Sequence, residues 1–335
     1  MEGSTLKQIA QELGLSVSTV SRAINGKTVI KEETRKRVME LAEKYSYTPN
    51  EIARALQKSA TNTIAVALPD ISEAFFGTIV NEIDRVVSAE GYTLILSDTH
   101  EEKIKEQKLL SMLYTRRVDA LVLATVDVNG KTVEQFLKNK TPVIFIDNVP
   151  HLNNIDAITI DNFKASYMAV EYLLKRSHKD IAVIVGSQEE TTGYERLKGY
   201  KSALTDNNCS VNEALIAYGD FKQESGYNAM KKLLENTKEH PFSAVYVTSE
   251  KMTYGAIKAI RENGLSVPND ISVIGFDIHT TDDGWRQRIT SIRQPEEEIG
   301  TMVGNLLLAR LKNKEDISYS HISLDPIIEE GDTVK

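Results

Sequence analysis

The sequence predicts an α/β protein in which a small N-terminal helical domain precedes a core of two doubly wound parallel sheets. Residues 5–26 carry two short helical patterns separated by Gly14. Beyond Leu56, apolar strand-like runs alternate with amphipathic helical runs, which is typical of parallel sheets covered by helices. This alternation occurs twice, so we expect two lobes with a cleft between them. The length of 335 residues also exceeds one ordinary hydrophobic core.

The first two predicted helices have the spacing of a helix-turn-helix. Thr5 and Gln8 match a capping box at the start of the first helix. Gly14 supplies the tight turn, and Ser16 is expected to cap the second helix. The apolar face of the first helix recurs at helical spacing and comprises Leu6, Ile9, Ala10 and Leu13.

The second helix presents a short polar face. Val20 and Ile24 are expected to point inward, which leaves Val17, Ser18, Ser21 and Arg22 facing outward. A helix-turn-helix of this layout places the first turn of its second helix in the major groove of DNA. Any small helical hairpin shows the same pattern, so these residues alone leave a purely structural role open.

Two further helices are predicted before the core. One runs from Glu32 to Tyr45, with the basic side chains of residues 35–37 facing outward. Asn50 is placed to cap another helix of barely two turns. A helix this short is marginal alone in water, so we expect it to form only when something packs against it.

Three motifs carry a resemblance to a known family. Residues 15–25 read Leu-Ser-Val-Ser-Thr-Val-Ser-Arg-Ala-Ile-Asn, residues 32–38 read Glu-Glu-Thr-Arg-Lys-Arg-Val, and residues 47–56 read Tyr-Thr-Pro-Asn-Glu-Ile-Ala-Arg-Ala-Leu. The sequence closely resembles the lactose-repressor (LacI/GalR) family of bacterial transcription regulators, and the match continues through nearly the whole chain. The resemblance implies a helix-turn-helix headpiece, a hinge helix and a two-lobed core like that of periplasmic sugar-binding proteins.

The resemblance also implies domain boundaries, because the family's chain crosses between the lobes three times. We expect these crossings near residues 160–162, near residues 289–294 and near Leu324. The expected domains are the headpiece at 1–49, the hinge helix and linker at 50–61, the N-terminal core lobe at 62–160 and 292–323, and the C-terminal core lobe at 161–291 and 324–335.

The alternating pattern of the core places its elements along the chain. Eight apolar runs bounded by turn residues are predicted as buried strands: 63–68, 93–97, 120–124, 143–146, 181–185, 215–217, 244–248 and 272–276. Six amphipathic runs are predicted as helices: 75–89, 101–114, 133–137, 196–204, 224–234 and 251–263.

Residues for DNA contact follow from the resemblance. Phosphate contacts are expected from Thr19, Ser21, Asn25 and Tyr47, and base-edge contacts from Val17, Ser18 and Arg22. In the hinge, Asn50, Ala53 and Leu56 are expected at the minor groove, where Leu56 would wedge into the central base step and kink it.

Effector contacts in the first lobe are expected beyond the ends of the strands, where ligands bind in open parallel sheets. Asp70 follows the first strand as a hydrogen-bond acceptor. Phe75 and Phe76 then form a stacking wall for a sugar or base ring, although at least one of them can be ordinary core.

Effector contacts in the second lobe follow the same rule together with the resemblance. Arg196 would bind ligand hydroxyls or carbonyls through its guanidinium fork. Phe221 would be a second ring platform and Asp277 the acceptor that fixes ligand orientation. The remaining expected contacts are Thr192, Ser249 and Gln294.

Two positions depart from the family pattern. The family usually carries Asn-Asp after the strand at 244–248, whereas this chain has Ser249-Glu250, which puts the ligand chemistry in doubt. The third helix usually begins with a serine cap, whereas Lys31 stands here. The missing cap costs up to about 1 kcal/mol of helix stability.

Charge and cysteine content agree with an intracellular DNA-binding protein. The net charge of -8 divides into +3 for residues 1–60 and -11 for the rest, although solvated helix faces also produce such imbalance. The single cysteine, Cys209, forms no internal disulfide and is expected to be a partly buried small side chain. The sequence has no signal peptide and no apolar run of about 18 residues, so we expect a cytoplasmic protein without a membrane partner.

Enzymatic and transport alternatives receive less support. The six histidines are scattered without metal-ligand spacing, and no glycine-rich phosphate motif follows a strand. Asp277, His279, Asp282 and Asp283 could perform acid–base work or bind a metal, or form a solvated acidic loop. A sugar-binding transport protein would leave the first 58 residues unexplained.

The sequence therefore predicts a ligand-responsive transcription regulator that represses carbohydrate-use genes, and not an enzyme. We expect a homodimer on a near-palindromic operator, with a small-molecule effector such as a sugar in the cleft. No metal or cofactor is expected. The effector itself and the sign of its action stay open, and a protein co-regulator is not excluded.

Overall fold

The computed structural model describes residues 3–25, 30–47, 60–279, 288–313 and 318–335, with backbone alone for residues 3–5. The chain divides into two compact units, Met1–Thr61 and Asn62–Lys335. Each unit has its own hydrophobic core. Within the described ranges, no helix is long and apolar enough to cross a membrane.

The described residues of the N-terminal unit form three helices, α1 (Gly3–Leu13), α2 (Val17–Ile24) and α3 (Glu32–Lys44). Their shared core includes the fully buried side chains of Ile9, Val20 and Val38. Gly14 turns the chain between α1 and α2 with a positive φ of 63°, a conformation that glycine adopts without a steric penalty. The prediction that Thr5 caps the first helix is wrong, because α1 already begins at Gly3.

The N-termini of α2 and α3 differ in their capping. The Thr19 backbone N–H donates to Ser16 Oγ over 3.1 Å, which confirms the predicted cap of α2. Lys31 precedes α3 without a side-chain cap hydrogen bond, as its side chain offers no acceptor.

Removing one cap and adding the other should shift helix stability in opposite directions. Ser16→Ala should destabilise α2 by about 1 kcal/mol, because one orphan N–H loses its acceptor. Amide hydrogen exchange across residues 17–24 should then be roughly fivefold faster. Lys31→Ser should slow exchange in the first turn of α3. Unchanged exchange in both variants would show that neither cap contributes.

The core unit contains two six-stranded sheets. The first has the order β11-β5-β4-β3-β1-β2 and is parallel throughout. The second has the order β12-β10-β9-β8-β6-β7 and is parallel except for β12, which pairs antiparallel with β10. The strands are β1 Thr63–Leu68, β2 Thr93–Asp98, β3 Ala120–Leu123, β4 Val143–Ile146, β5 Asp156–Ile160, β6 Ile181–Val185, β7 Ile216–Tyr218, β8 Ala244–Val247, β9 Ser272–Phe276, β10 Thr290–Arg293, β11 His321–Leu324 and β12 Ile327–Glu329.

Helices cover both sheets and pack in pairs, α4 with α11, α7 with α8, and α9 with α10. The last pair packs closely: a Cβ atom on Gly255 would lie 2.0 Å from the Gln223 carbonyl oxygen, so only glycine fits there. The helices are α4 Ala74–Ser88, α5 Lys103–Thr115, α6 Glu134–Lys138, α7 Asn162–Lys175, α8 Thr191–Asp206, α9 Gln223–Glu235, α10 Glu250–Glu262 and α11 Glu296–Lys312, and a short 3₁₀ helix spans Glu213–Leu215.

The chain passes between the sheets after β5, after β10 and after β11. The passages follow Ile160, Arg293 and Leu324, which lie within the stretches where crossings were expected. Ile292 still pairs with Phe276 in the second sheet, and Leu324 still pairs with Ile160 in the first.

All eight predicted strands are present, and their ends differ from the predicted ones by at most one residue. The predicted helix at 196–204 begins five residues earlier, at Thr191. Cys209 is free and partly buried, as predicted. The elements that the sequence analysis did not predict are β5, α7, β10, α11, β11 and β12.

Candidate functional site

A cavity of about 240 Å³ lies between the carboxyl ends of the two sheets. Eight of the nine predicted effector-binding residues line it. They come from both lobes, and each follows a strand or begins the helix after it. These eight residues are Phe75, Phe76, Thr192, Arg196, Phe221, Ser249, Asp277 and Gln294.

Asp70, the ninth predicted contact, does not line this cavity. Its Oδ1 atom accepts hydrogen bonds from the backbone N–H and the hydroxyl of Ser72, at 2.8 and 2.6 Å. Its other oxygen forms an ion pair with Lys251, which lies on the second lobe. The carboxylate is therefore committed to its own turn and to a bridge between the lobes.

Aromatic rings form one wall of the cavity. The Phe75 and Phe76 rings meet edge to face, with centroids 4.9 Å apart, and both side chains are mostly buried in the core while still reaching the cavity. From the second lobe, Phe221 packs over Gly186, where an added Cβ would lie 2.0 Å from the Phe221 ring. Three rings are thus available to pack against an apolar ligand face.

Arg196 is buried and held by contacts on several sides. Its Nε donates to Asn162 Oδ1 and its Nη1 donates to the Thr248 carbonyl oxygen, both over 2.7 Å. The guanidinium also lies 3.6 Å from the centroid of the Phe276 ring. These contacts fix the orientation of a permanent positive charge within the cavity wall.

Asp277 and Gln294 form a buried pair at the second passage between lobes. Gln294 Nε2 donates to Asp277 Oδ2 over 2.6 Å, and the Gln294 backbone N–H donates to Oδ1 over 3.0 Å. Burial raises the pKa of Asp277 to about 6, against the opposing hydrogen bonds from Gln294.

His279 belongs to an ion-pair cluster behind the cavity. Although burial lowers its pKa, hydrogen bonds to Glu250 and Glu296 raise the pKa of His279 to about 10. Its Nε2 lies 3.1 Å from Glu296. The imidazole is therefore a cation engaged with carboxylates, and Asp282 and Asp283 lie outside the described residues.

Sequence reasoning predicted Asp277 but missed four other acidic residues of the cavity. Burial raises the pKa of Glu73 and of Glu190 to about 7 and also raises that of Asp147 and Glu101. Asp147 directly follows β4, and Glu73 and Glu190 directly precede α4 and α8. Applying the strand-end rule to every strand would have found them.

The predicted recognition helix α2 presents its polar face to solvent. Val17 is 41% exposed, and Ser18 and Arg22 are exposed, whereas Thr19 and Ser21 are partly buried. Asn25, also exposed, donates from Nδ2 to Ser21 Oγ over 3.3 Å.

Four of the predicted DNA-contacting residues follow α3 in the chain. Tyr47 is partly buried against the core of the N-terminal unit. Asn50, Ala53 and Leu56, together with the predicted hinge helix, lie outside the described residues.

Comparisons with known proteins match both units. Residues 5–50 match the family described as bacterial regulatory proteins, lacI family, and residues 61–330 match periplasmic binding proteins and the sugar-binding domain of the LacI family. Catabolite control protein A from Priestia megaterium is 36% identical over 97% of this chain and 97% of its own length. The chain belongs to the LacI family of bacterial transcription regulators.

Two further similarities cover nearly the whole chain. The transcriptional repressor PurR from Erwinia tasmaniensis is 34% identical over 95% of this chain and 93% of its own length. A solved complex of the transcriptional regulator CelR with cellobiose has a TM-score of 0.75 and 26% identity, and covers 98% of this chain and 99% of that one. The predicted family and fold class are confirmed.

The Ser249-Glu250 departure within this LacI-family chain has a structural consequence. Ser249 caps α10, accepting the Met252 backbone N–H over 3.4 Å. Glu250 accepts from the Tyr254 hydroxyl over 2.9 Å and from the His279 backbone N–H over 3.3 Å. Both side chains line the cavity, and the Glu250 carboxylate is already engaged behind it.

Four residues lining the cavity have left-handed backbone conformations. Their φ values are 57° at Glu101, 57° at Asp147, 67° at Phe221 and 52° at Asp277. Such conformations are unfavourable for residues other than glycine and persist where the surrounding structure enforces them, frequently at ligand sites. The loops around the cavity are therefore shaped by their tertiary contacts.

Proposed function

We propose that this LacI-family regulator represses carbohydrate-use genes and responds to a small polyhydroxylated effector bound in the cleft. The observation that carries the proposal is the convergence of eight predicted residues from both lobes on one cavity. Sugar rings stack on aromatic side chains through their apolar faces, and their hydroxyls bind fixed polar groups. The similar regulator CelR has been solved with cellobiose.

In the proposed cleft, three phenylalanines hold the ring and Arg196 binds its oxygens. The pair of Asp277 and Gln294 orients the ligand, and Thr192 and Ser249 add hydroxyl contacts. Because these groups come from both lobes, the ligand would favour the closed arrangement and shift the population toward it. Its regulatory effect is limited to its differential affinity for the two arrangements.

We propose that the N-terminal unit binds operator DNA through α2. Its exposed first turn supports base-edge contacts by Val17, Ser18 and Arg22, and phosphate contacts by Thr19, Ser21, Asn25 and Tyr47. A short hinge helix beginning at Asn50, within the hinge and linker at 50–61, would place Asn50, Ala53 and Leu56 in the minor groove. The net charge of +3 for residues 1–60 favours attraction to the phosphates of the DNA backbone.

We propose a homodimer that acts in the cytoplasm and has no catalytic activity. A single recognition helix contacts too little DNA for nanomolar affinity, whereas two related by a two-fold axis double the contact. The regulators CcpA and PurR that resemble this chain are named as control protein and repressor. The domain boundaries given above for the headpiece, hinge and lobes belong to this proposal.

Selection of DNA from a random library by the full-length protein tests the proposed function. We expect a near-palindromic consensus whose half-sites are centred about one helical turn apart. Affinity for it should fall steeply with salt, because phosphate contacts release counterions. Enrichment of no sequence, or of one without two-fold symmetry, would contradict the proposal.

A further inference from the structure

The cleft carries an excess of carboxyl groups. Among the described residues that line it, seven are acidic and two, Arg196 and Lys222, are basic. Lys251 lies at the edge, where it is shared between Asp70 and Glu73. The cavity is therefore a site of strong negative potential unless a ligand or protons compensate for it.

Some of the seven carboxyl groups already have partners. Asp277 is bound by Gln294, Glu250 by Tyr254 and His279, and Glu101 lies 3.8 Å from Lys222 Nζ. Asp220 accepts the Lys222 backbone N–H over 3.1 Å. These four carboxyls are thus already engaged by hydrogen bonds or an ion pair within the protein.

The other three define what we name the acidic wall: Glu73, Asp147 and Glu190. Glu73 is 3.6 Å from Lys251, which also pairs with Asp70. For Asp147 and Glu190, burial raises the pKa, and the charge of Arg196, which is already held by Asn162 and the Thr248 carbonyl, lowers it only in part. Glu190 also precedes α8 without capping it through its side chain, so its carboxylate has no evident structural task.

The acidic wall spans both lobes, and its carboxyl groups interact electrostatically. Glu73 and Asp147 belong to the first lobe, and Glu190 to the second. Burial is the main cause of the raised pKa of Glu73 and Glu190, and the charge of Asp147 raises both further. A cation bound against the wall would oppose these shifts, because a nearby opposite charge favours the ionised carboxylate.

We propose that the effector is a cationic sugar, namely an amino sugar or a similar polyhydroxylated primary amine, whose ammonium group lies against Glu73, Asp147 and Glu190. This inference rests on the proposed function, because it specifies the ligand of the same cleft. A neutral sugar would pack against the phenylalanines and bind Arg196, but it would leave the three carboxyls of the acidic wall with only Lys251 and Arg196 as nearby cations. A phosphorylated or carboxylated sugar would be repelled by it.

Matched ligands test this inference with the full-length protein at pH 7. Glucosamine and galactosamine are each compared with the parent sugar and with the N-acetyl derivative, which keeps the ring and removes the charge. Glucosamine 6-phosphate, magnesium chloride and calcium chloride complete the set. Binding is followed by the thermal shift and by calorimetry.

We expect at least one amino sugar to bind ten or more times more tightly than both its parent and its N-acetyl form. The corresponding phosphate should bind less tightly than the free amine. The inference would be overturned by equal or tighter binding of the uncharged form, by no binding of any amine, or by stabilisation from the divalent salts in place of the amines.

Three variants test whether the preference for an amine depends on the charge of the acidic wall or on the shape of its side chains. Glu190→Gln and Asp147→Asn keep the size of each side chain, and each should reduce amino-sugar affinity at least tenfold while changing the parent-sugar affinity less than threefold. Glu189→Gln is the matched control, because Glu189 is exposed, adjacent to Glu190 and absent from the cavity lining. An unchanged preference for the amine in both wall variants would contradict the assignment.

Operator binding, measured in the same preparations, distinguishes two kinds of failure. If a neutral sugar alters operator affinity and amines are not preferred, the inference about charge fails and the proposed regulator stands. If the protein selects no operator, the proposed function fails whatever the ligand preference.

Discussion

Replacing Arg196 with alanine is expected to weaken effector binding about 100-fold, roughly 2.7 kcal/mol, and to abolish the response of the regulator to its effector. The guanidinium is buried and held between Asn162, the Thr248 carbonyl and the Phe276 ring. It therefore binds ligand oxygens without a further ordering cost. Calorimetric titration with the tightest-binding sugar of the matched set measures the loss.

Lys198→Ala is the matched control for Arg196→Ala, because Lys198 is an exposed cation two residues along the same helix. Arg196→Lys keeps the positive charge but lacks the planar guanidinium, so its loss of ligand affinity should be intermediate. Thermal unfolding of each variant shows whether it is folded. Unchanged ligand affinity in folded Arg196→Ala protein would mean that the effector binds elsewhere.

Replacing Arg22 with alanine is expected to weaken operator binding by about 1–3 kcal/mol and to relax the sequence preference at one base pair in each half-site. Arg22 is exposed on α2, and a guanidinium binds guanine through two parallel hydrogen bonds. Effector affinity should not change, because the cleft lies within residues 62–335. Repeating the selection from random DNA with the variant measures both effects.

Arg37→Ala is the control for Arg22→Ala, since Arg37 is an exposed arginine on α3 rather than on α2. Loss of any phosphate contact that Arg37 makes would lower the affinity for all DNA sequences alike and leave the consensus unchanged. An identical consensus and equal operator affinity for wild type and Arg22→Ala would remove Arg22 from base recognition.

Local sequence patterns were sufficient for eight strands and, together with the family resemblance, for eight of the residues that line the cavity. The bounds of β1, β4, β6 and β9 match the predicted ones, because each is a continuous apolar run ended by polar or turn residues. The strand-end rule then located both the phenylalanine wall and Asp277. Short peripheral strands escape such reasoning: β12, Ile327–Glu329, has three residues and pairs on one side alone.

Tertiary contacts account for what the sequence did not reveal. The helix α8 begins with Thr191-Thr192-Gly193, residues of poor helix propensity. Asn148 Oδ1 accepts from the Thr191 N–H over 3.0 Å and from its hydroxyl over 2.6 Å, which holds this first turn in place. The acidic wall likewise depends on the approach of two lobes, and Asp70 turns away from the cavity to reach Ser72 and Lys251.

The central claim is that occupancy of the cleft changes the affinity of α2 for DNA, and one measurement tests it directly. Operator affinity of the full-length protein is determined with and without a saturating concentration of the tightest-binding sugar, in wild type and in Arg196→Ala. Coupling between two sites typically amounts to about 1–3 kcal/mol, or roughly 5–150-fold. We expect a change of that size in wild type and none in the variant. Equal operator affinity of wild type with and without saturating ligand would contradict the claim.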